Sequence, residues 1–320
     1  MIDFRYHLIS IVAVFLALGI GILMGSYVLG EGLVKQLRSE FEVLKDRNDE
    51  LEANVNDLES QVSTYDRVMH GMRDWVVPGR LDGESVVMFT YDGTDGAVRD
   101  QVRETIEQAG GTIASTISAR DSLSLPSPAA RDQLALILSS AASQADELRA
   151  ELGERLGKAV TAGDGVRGGL GSDPGDGPLE RDDLDALLTD LEEAGLVSAE
   201  RADDDEPYAP PGSWFVIVGG GEGDAPFRIA EYTVALGIEL ANAGAPVIAA
   251  ESSESGWELA TIMRADDEAQ DLVSTEDQAD TVAGSISLVL GLQLASDGLI
   301  THNGVDSGAQ GVIPEPAPTP

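Results

Sequence analysis

Residues 214–251, "WFVIVGGGEGDAPFRIAEYTVALGIELANAGAPVIAAE", decide the fold class. An unbroken apolar run at 214–218 is followed by a glycine-rich turn, a helical stretch that stops at Gly244, and a second apolar run. Strands that are apolar at every position, rather than at alternate ones, are buried on both faces of a sheet. Strand, helix and strand in that order imply a right-handed crossover. The product is a parallel sheet with helices on both faces.

The same pattern recurs on either side. Upstream, "SVVMFTYDGTDGAVRDQVRETIEQAGGTIAST" at 85–116 reads strand, turn, helix, Gly-Gly stop and strand, with Val98, Val102, Ile106 and Ala109 on one helix face. Downstream, "DLVSTEDQADTVAGSISLVLGL" at 271–292 starts a third unit, with Thr275 and Gln278 spaced as a capping box. Residues 128–196 read as amphipathic helices, broken by "GDGVRGGLGSDPGDGP" at 163–178, which has the composition of a mobile loop. "ADDDEPYAPPGS" at 202–213 reads as a surface linker. The α/β domain therefore runs over 78–300, with a helical insertion at about 120–213, and 301–320 reads as a disordered tail ending "PEPAPTP".

The N-terminal part obeys a different rule. "LISIVAVFLALGIGILMGSYVL", residues 8–29, has neither charge nor proline. As a helix it spans roughly 33 Å, enough for a ~30 Å hydrocarbon core. It is too long for the apolar region of a cleaved signal, and the small residues Gly19, Gly21 and Gly25 lie inside it rather than after it. Residues 1–30 are read as an uncleaved single-pass anchor. Lysine and arginine give no clear inside bias, since Arg5 precedes the run and Lys35 and Arg38 follow it. A short stub before a long acidic region places the N-terminus in the cytoplasm and the bulk of the chain outside.

After the anchor comes a heptad pattern at 31–77. Position a holds Val34, Phe41, Asn48, Val55, Val62 and Met69; position d holds Leu37, Leu44, Leu51, Leu58, Tyr65 and Met72. Valine at a over leucine at d, with one asparagine at a, favours a parallel homodimer of fixed register. In that pairing Glu40 meets Lys45 and Arg47 meets Glu52 across the seam, both attractive. An amphipathic helix lying on its own globular domain is the alternative. Within the anchor, Ala13, Ala17, Gly21 and Gly25 recur at every fourth residue, a small-residue stripe that lets two membrane helices approach closely. Pro78 with Gly79 and Gly83 ends the rod.

Composition narrows the chemistry. Asp and Glu number 57 against 20 Lys and Arg, a formal charge of −37, which disfavours nucleic acid and anionic headgroups as partners. There is no cysteine, so disulfides and thiolate sites are excluded. The glycines of "VIVGGGEGDAP" miss the dinucleotide pattern, because Asp224 stands where the last glycine belongs, and no Lys-Ser/Thr follows. Asp92, Asp95, Glu222, Asp224, Glu251 and Glu254 follow strand ends, where open parallel sheets bind ligands. They suit a hard cation or, in so acidic a chain, ordinary surface. The histidines are His7, His70 and His302, and no nucleophile motif accompanies them, so the chain is read as non-enzymatic. One soft-donor cluster stands out: Met69, His70 and Met72, whose thioethers and imidazole suit Cu(I). Hydrophobic packing at a and d accounts for the two methionines equally well.

The opening "MIDFRYHLISIVAVFLALGIGILMGS" resembles the start of the actinobacterial, MctB-like copper transporter family. The resemblance extends to "VVMFTYDGTDGAVRDQVRETIEQAGGTIAS" and "VSTEDQADTVAGSISLVLGL", and is weakest around 120–210. It implies a membrane helix, a coiled coil and an α/β region, with a role in copper efflux or homeostasis as an envelope protein. An outer envelope membrane location and copper as ligand are implied by the resemblance alone. One membrane helix cannot enclose a pore by itself, and nothing here reads as the alternating ~10-residue strands of a barrel. Read for their physics alone, the residues favour a dimeric coiled-coil scaffold that presents the α/β domain to a cell-wall or division partner.

Overall fold

A computed structural model describes residues 4–162 and 181–314, with side chains placed at 6–25, 35–162 and 184–314. The loop expected at 163–178 lies outside the described residues, as does the tail beyond 314. The chain divides into two units, Met1–Arg67 and Val68–Pro320.

The first unit is helical over its described residues, 4–67. Helix α1 (Phe4–Val76) runs from the apolar stretch into the heptads without a break. Among the described residues, Tyr6–Gly25 is the stretch long and apolar enough to cross a membrane, and none of it is buried. The heptad residues Leu37, Phe41, Leu44, Leu51, Val55, Leu58 and Val62 are all exposed. Asn48 donates to Glu52 Oε1 at 2.9 Å along the same helix. A polar asparagine among exposed apolar neighbours thus finds its partner one turn on.

The second unit is a three-layer α/β structure. In chain order it holds β1 (Ser85–Tyr91), α2 (Gly96–Gln108), β2 (Thr112–Ala119), α3 (Pro128–Leu138), α4 (Ala145–Thr161), α5 (Arg181–Glu193) and β3 (Val197–Arg201). Then follow β4 (Trp214–Val218), α6 (Ala230–Asn242), β5 (Val247–Ala250), α7 (Leu259–Ala265), α8 (Ala269–Leu272), β6 (Ser274–Glu276), α9 (Val282–Ser296) and β7 (His302–Asn303). The sheet order is β3-β2-β1-β4-β5-β6-β7. Successive residues of a strand point to opposite faces. Accordingly Val87, Phe89, Phe215 and Ile217 enter a core under α3 to α8, while Val86, Met88, Val216 and Val218 enter a second core. That second core lies under α2, α9 and the segment Val76–Leu81.

Three features differ from the sequence reading. The sheet is mixed rather than parallel, because β3 runs antiparallel along β2. Residues 301–314, read as tail, continue the fold: β7 pairs with β6, and Asn303 bridges to Gly311. Thr275 does not cap a helix. It sits buried in β6, and α9 is capped by Thr281, whose hydroxyl accepts from Gly284 N–H at 2.9 Å. Strand pairing with β5 and β7 claims Thr275, so the helix begins at the next threonine. Elsewhere the helix stop at Gly244 holds, and the structure adds a cap at Asp95. Asp95 caps α2 through Ala97 N–H, and Gly244 after α6 adopts φ +81°.

Candidate functional site

Strand order reverses between β1 and β4, the position at which open α/β sheets form a ligand crevice beyond the carboxyl ends of their strands. Here the two loops meet directly. Asp95 N–H donates to Gly220 O at 2.8 Å, and a Cβ on Gly221 would stand 2.5 Å from Gly93 O. Trp257 closes over Gly93 and meets Tyr91 edge-on, with ring centroids 6.0 Å apart. Local packing accounts for three glycines of this run: Gly221 abuts the Gly93 backbone, Gly220, at φ +101°, abuts Ser252, and Gly219 abuts the Leu259 side chain, leaving no room for Cβ.

The carboxylates after the strands have separate tasks. Asp92 Oδ2 accepts from Asp121 N–H at 3.2 Å, Asp95 caps α2, and Glu222, Asp224 and Glu254 face solvent. Glu251 is buried and accepts from Leu259 and Ala260 N–H at 3.0 and 2.8 Å, satisfying the orphan donors that start α7. Burial pushes its carboxyl upward, against the pull of those hydrogen bonds. No group of three or more His, Cys, Asp or Glu side chains able to hold a metal is found among the described residues.

The densest polar cluster lies at β6 and β7, and sequence reasoning did not single it out. Arg264 and Asp277 form a buried ion pair at 2.7 Å. Asp277 also accepts from Val305 and Asp306 N–H at 2.8 and 3.0 Å, while Arg264 Nη2 donates to Asn303 O at 2.7 Å. Gly304 passes so close, at φ +127°, that a Cβ there would overlap the Asp277 carboxylate. Arg264 Nε donates to Thr275 Oγ1 at 2.8 Å, and that hydroxyl lies 3.0 Å from His302 Nδ1. His302 Nε2 faces the Gln270 carbonyl at 2.8 Å and must donate to it, which leaves Nδ1 to accept the threonine proton. Burial pushes the imidazole toward its neutral form. Every donor is used in tying the chain to itself. Glu276 is the exception: it is fully buried, and one oxygen accepts from Gln278 N–H at 3.0 Å. Its Oε2 and the nearby Ser287 Oγ complete no well-formed hydrogen bond. Burial pushes this carboxyl up to about 7.

The soft-donor cluster falls at the end of α1, within the second unit. Met69 packs half-buried against the core beneath α2 and α9, whereas His70 and Met72 are exposed. At ~100° per residue, Met69 and Met72 share a helix face and His70 points to the side. In the anchor, Ala13, Ala17 and Gly21 are exposed, and a Cβ on Gly21 or Gly25 would meet nothing within 4 Å.

The profile of the family described as "Copper transport outer membrane protein, MctB" matches residues 1–314. The chain belongs to that copper transport family. Relatives named copper transporter MctB from Mycobacterium tuberculosis and Mycobacterium bovis are each 27% identical over 320 residues, covering 98% of this chain and 99% of theirs. The protein of the same name from Mycobacterium leprae is 28% identical over 334 residues, with the same coverage. The MctB match thus runs through the apolar helix, the heptads and the sheet alike. Family and apolar helix together support a membrane localisation.

Proposed function

We propose that this chain is a single-pass membrane protein that lowers intracellular copper, with copper as its cargo. The observation that carries this reading is the match to copper transport proteins from end to end, not over one domain. The N-terminus lies in the cytoplasm and the α/β domain in the envelope. The scaffold alternative draws nothing from the relatives, which are named for copper. What survives of it is the mode of assembly. Two copies pair in parallel through the α1 heptads, centred on Leu44, Asn48, Leu51, Val55 and Leu58, and through the small-residue stripe of the anchor. This is supported by the row of exposed apolar side chains on α1, and a passage through the membrane needs more than one such helix. Met69, His70 and Met72 are the soft donors placed to meet Cu(I) at the end of that rod.

The test is deletion of the gene, with cell-associated copper measured by mass spectrometry after copper challenge. Copper should rise in the deletion strain and return to normal on complementation. A variant with Met69→Leu, His70→Gln and Met72→Leu should complement poorly. Unchanged copper in the deletion strain would refute the reading, and full complementation by the triple variant would remove the soft-donor role. Because the chain has no cysteine, a Leu51→Cys variant should form an intermolecular disulfide, while Ala53→Cys, on the outer face, should not.

A further inference from the structure

Helices α4, α6 and α7 leave an open groove of about 670 Å³ on the layer that covers one face of the sheet. Its floor is aliphatic, formed by Val234 and Ile238 of α6 and Ile262 of α7, each half-buried. Its rim is acidic: Glu154 on α4, Glu231 and Glu239 on α6, and Glu268 beyond α7. Neither lysine nor arginine lines it among the described residues.

Two of these carboxylates, Glu231 and Glu239, are half-buried, and Glu154 and Glu268 stand exposed beside them. Arg228, standing outside the groove, reaches Glu231 Oε1 at 3.1 Å, and the second oxygen of Glu231 is buried with no hydrogen-bond partner. Partial burial raises the Glu239 carboxyl, and Glu154 and Glu268 push it the same way against the pull of Lys158. Negative charge is therefore crowded against apolar surface and undercompensated, a condition that a cation arriving from outside relieves. A bare metal ion would satisfy the carboxylates and leave Val234, Ile238 and Ile262 wet. An amphipathic helix satisfies both requirements, with aliphatic residues at i, i+3 and i+4 on the floor and lysine or arginine along the flanks. We propose that this groove docks a cationic amphipathic helix of a partner protein.

The probe is a fluorescent helical peptide of leucine and lysine in that spacing, titrated at physiological salt into the full chain held in phosphatidylcholine nanodiscs. Empty nanodiscs supply the lipid background. Saturable binding is expected, and Glu231→Gln with Glu239→Gln should weaken it about tenfold. Glu104→Gln with Glu107→Gln, on α2 over the opposite face of the sheet, should leave it unchanged. A peptide with serine in place of leucine should lose binding as well. Equal losses from the two double variants would mean attraction to acidic surface in general and would overturn the proposal. Binding that ignores the leucines, or none above the nanodisc background, would overturn it too.

Discussion

Glu276 offers the most direct test of how this domain is held together. Its carboxyl is fully buried at the end of β6, and burial outweighs the help of Ser287 and the Gln278 N–H; Asp277 beside it opposes ionisation, and Arg264 favours it only weakly. The folded form therefore holds the proton up to about 7, against an ordinary value of 4.5. Because the folded pKa is the higher one, the stability linked to this proton is complete below 4.5 and is lost as pH rises through about 7. At ~1.4 kcal/mol per pH unit, the interval from 4.5 to about 7 corresponds to roughly 3 kcal/mol. Glu276→Gln keeps the shape, the acceptor for Gln278 and a donor toward Ser287, and has nothing to ionise. Its advantage over wild type should be small at pH 5 and grow by about 2 to 3 kcal/mol by pH 8.5. For a domain of this size, that is an increase in Tm of roughly 4 to 12 °C. Thermal melts of the full chain in non-ionic detergent, followed by near-UV circular dichroism, report on the buried Trp214 and Trp257. Glu251, Glu239 and His302 titrate alike in both proteins and cancel in the difference. Parallel pH profiles for the two proteins would refute the assignment. A variant less stable than wild type at pH 8.5 would show that the ionised form is the one the fold requires.

Four further substitutions test other parts of the structure. Gly153→Ala would set a Cβ 2.3 Å from Tyr232 O and 2.9 Å from Leu236 N, and should cost about 1 to 3 kcal/mol in urea unfolding despite alanine's better helix propensity. Gly71→Ala, whose Cβ meets nothing within 4 Å, should cost nothing. Arg264→Met strands the Asp277 charge in the interior and should cost about 3 to 5 kcal/mol, with faster hydrogen exchange over 301–314. Leu51→Asp should shift the full chain in detergent toward monomer in sedimentation equilibrium, because it puts a charge in the proposed α1 seam; an unchanged mass would refute the α1 pairing.

What the sequence reveals depends on how local each cause is. The apolar span, the heptads and the caps at Asp95 and Gly244 are written in neighbouring residues, and so are the strands buried on both faces. Strand β3 is not, because its burial alternates weakly along Val197–Arg201 and it forms only against β2, far away in the chain. Strand β7 is two residues long and exists because β6 offers it an edge. Thr275 and Thr281 are both chemically fit to cap α9, and only sheet register decides between them. Glu251 looks like the other acids after strands until α7 folds over it. The acid-rimmed groove depends on Gly153 and Gly157 letting α4 approach α6, a spacing that gives no sign of which helix it will meet.

Apart from Glu276, the buried polar groups around β5, β6 and β7 share one use. Arg264, Asp277, Thr275 and His302 fasten the 301–314 segment to β6, and Glu251 starts α7, so their hydrogen bonds are spent on the chain itself. The sheet's usual ligand crevice is closed by the contact between Gly221 and Gly93. On its surface the domain carries the acid-rimmed groove and the end of α1. Under the function proposed above, copper transport divides between two parts. Paired α1 helices would provide the membrane element, and the folded domain would carry Met69, His70 and Met72 together with the groove proposed to dock a partner. If that division holds, groove variants should leave cellular copper unchanged in the absence of the partner, whereas α1 variants should raise it whether or not the partner is present. Equal effects in both backgrounds would place groove and helix in a single function.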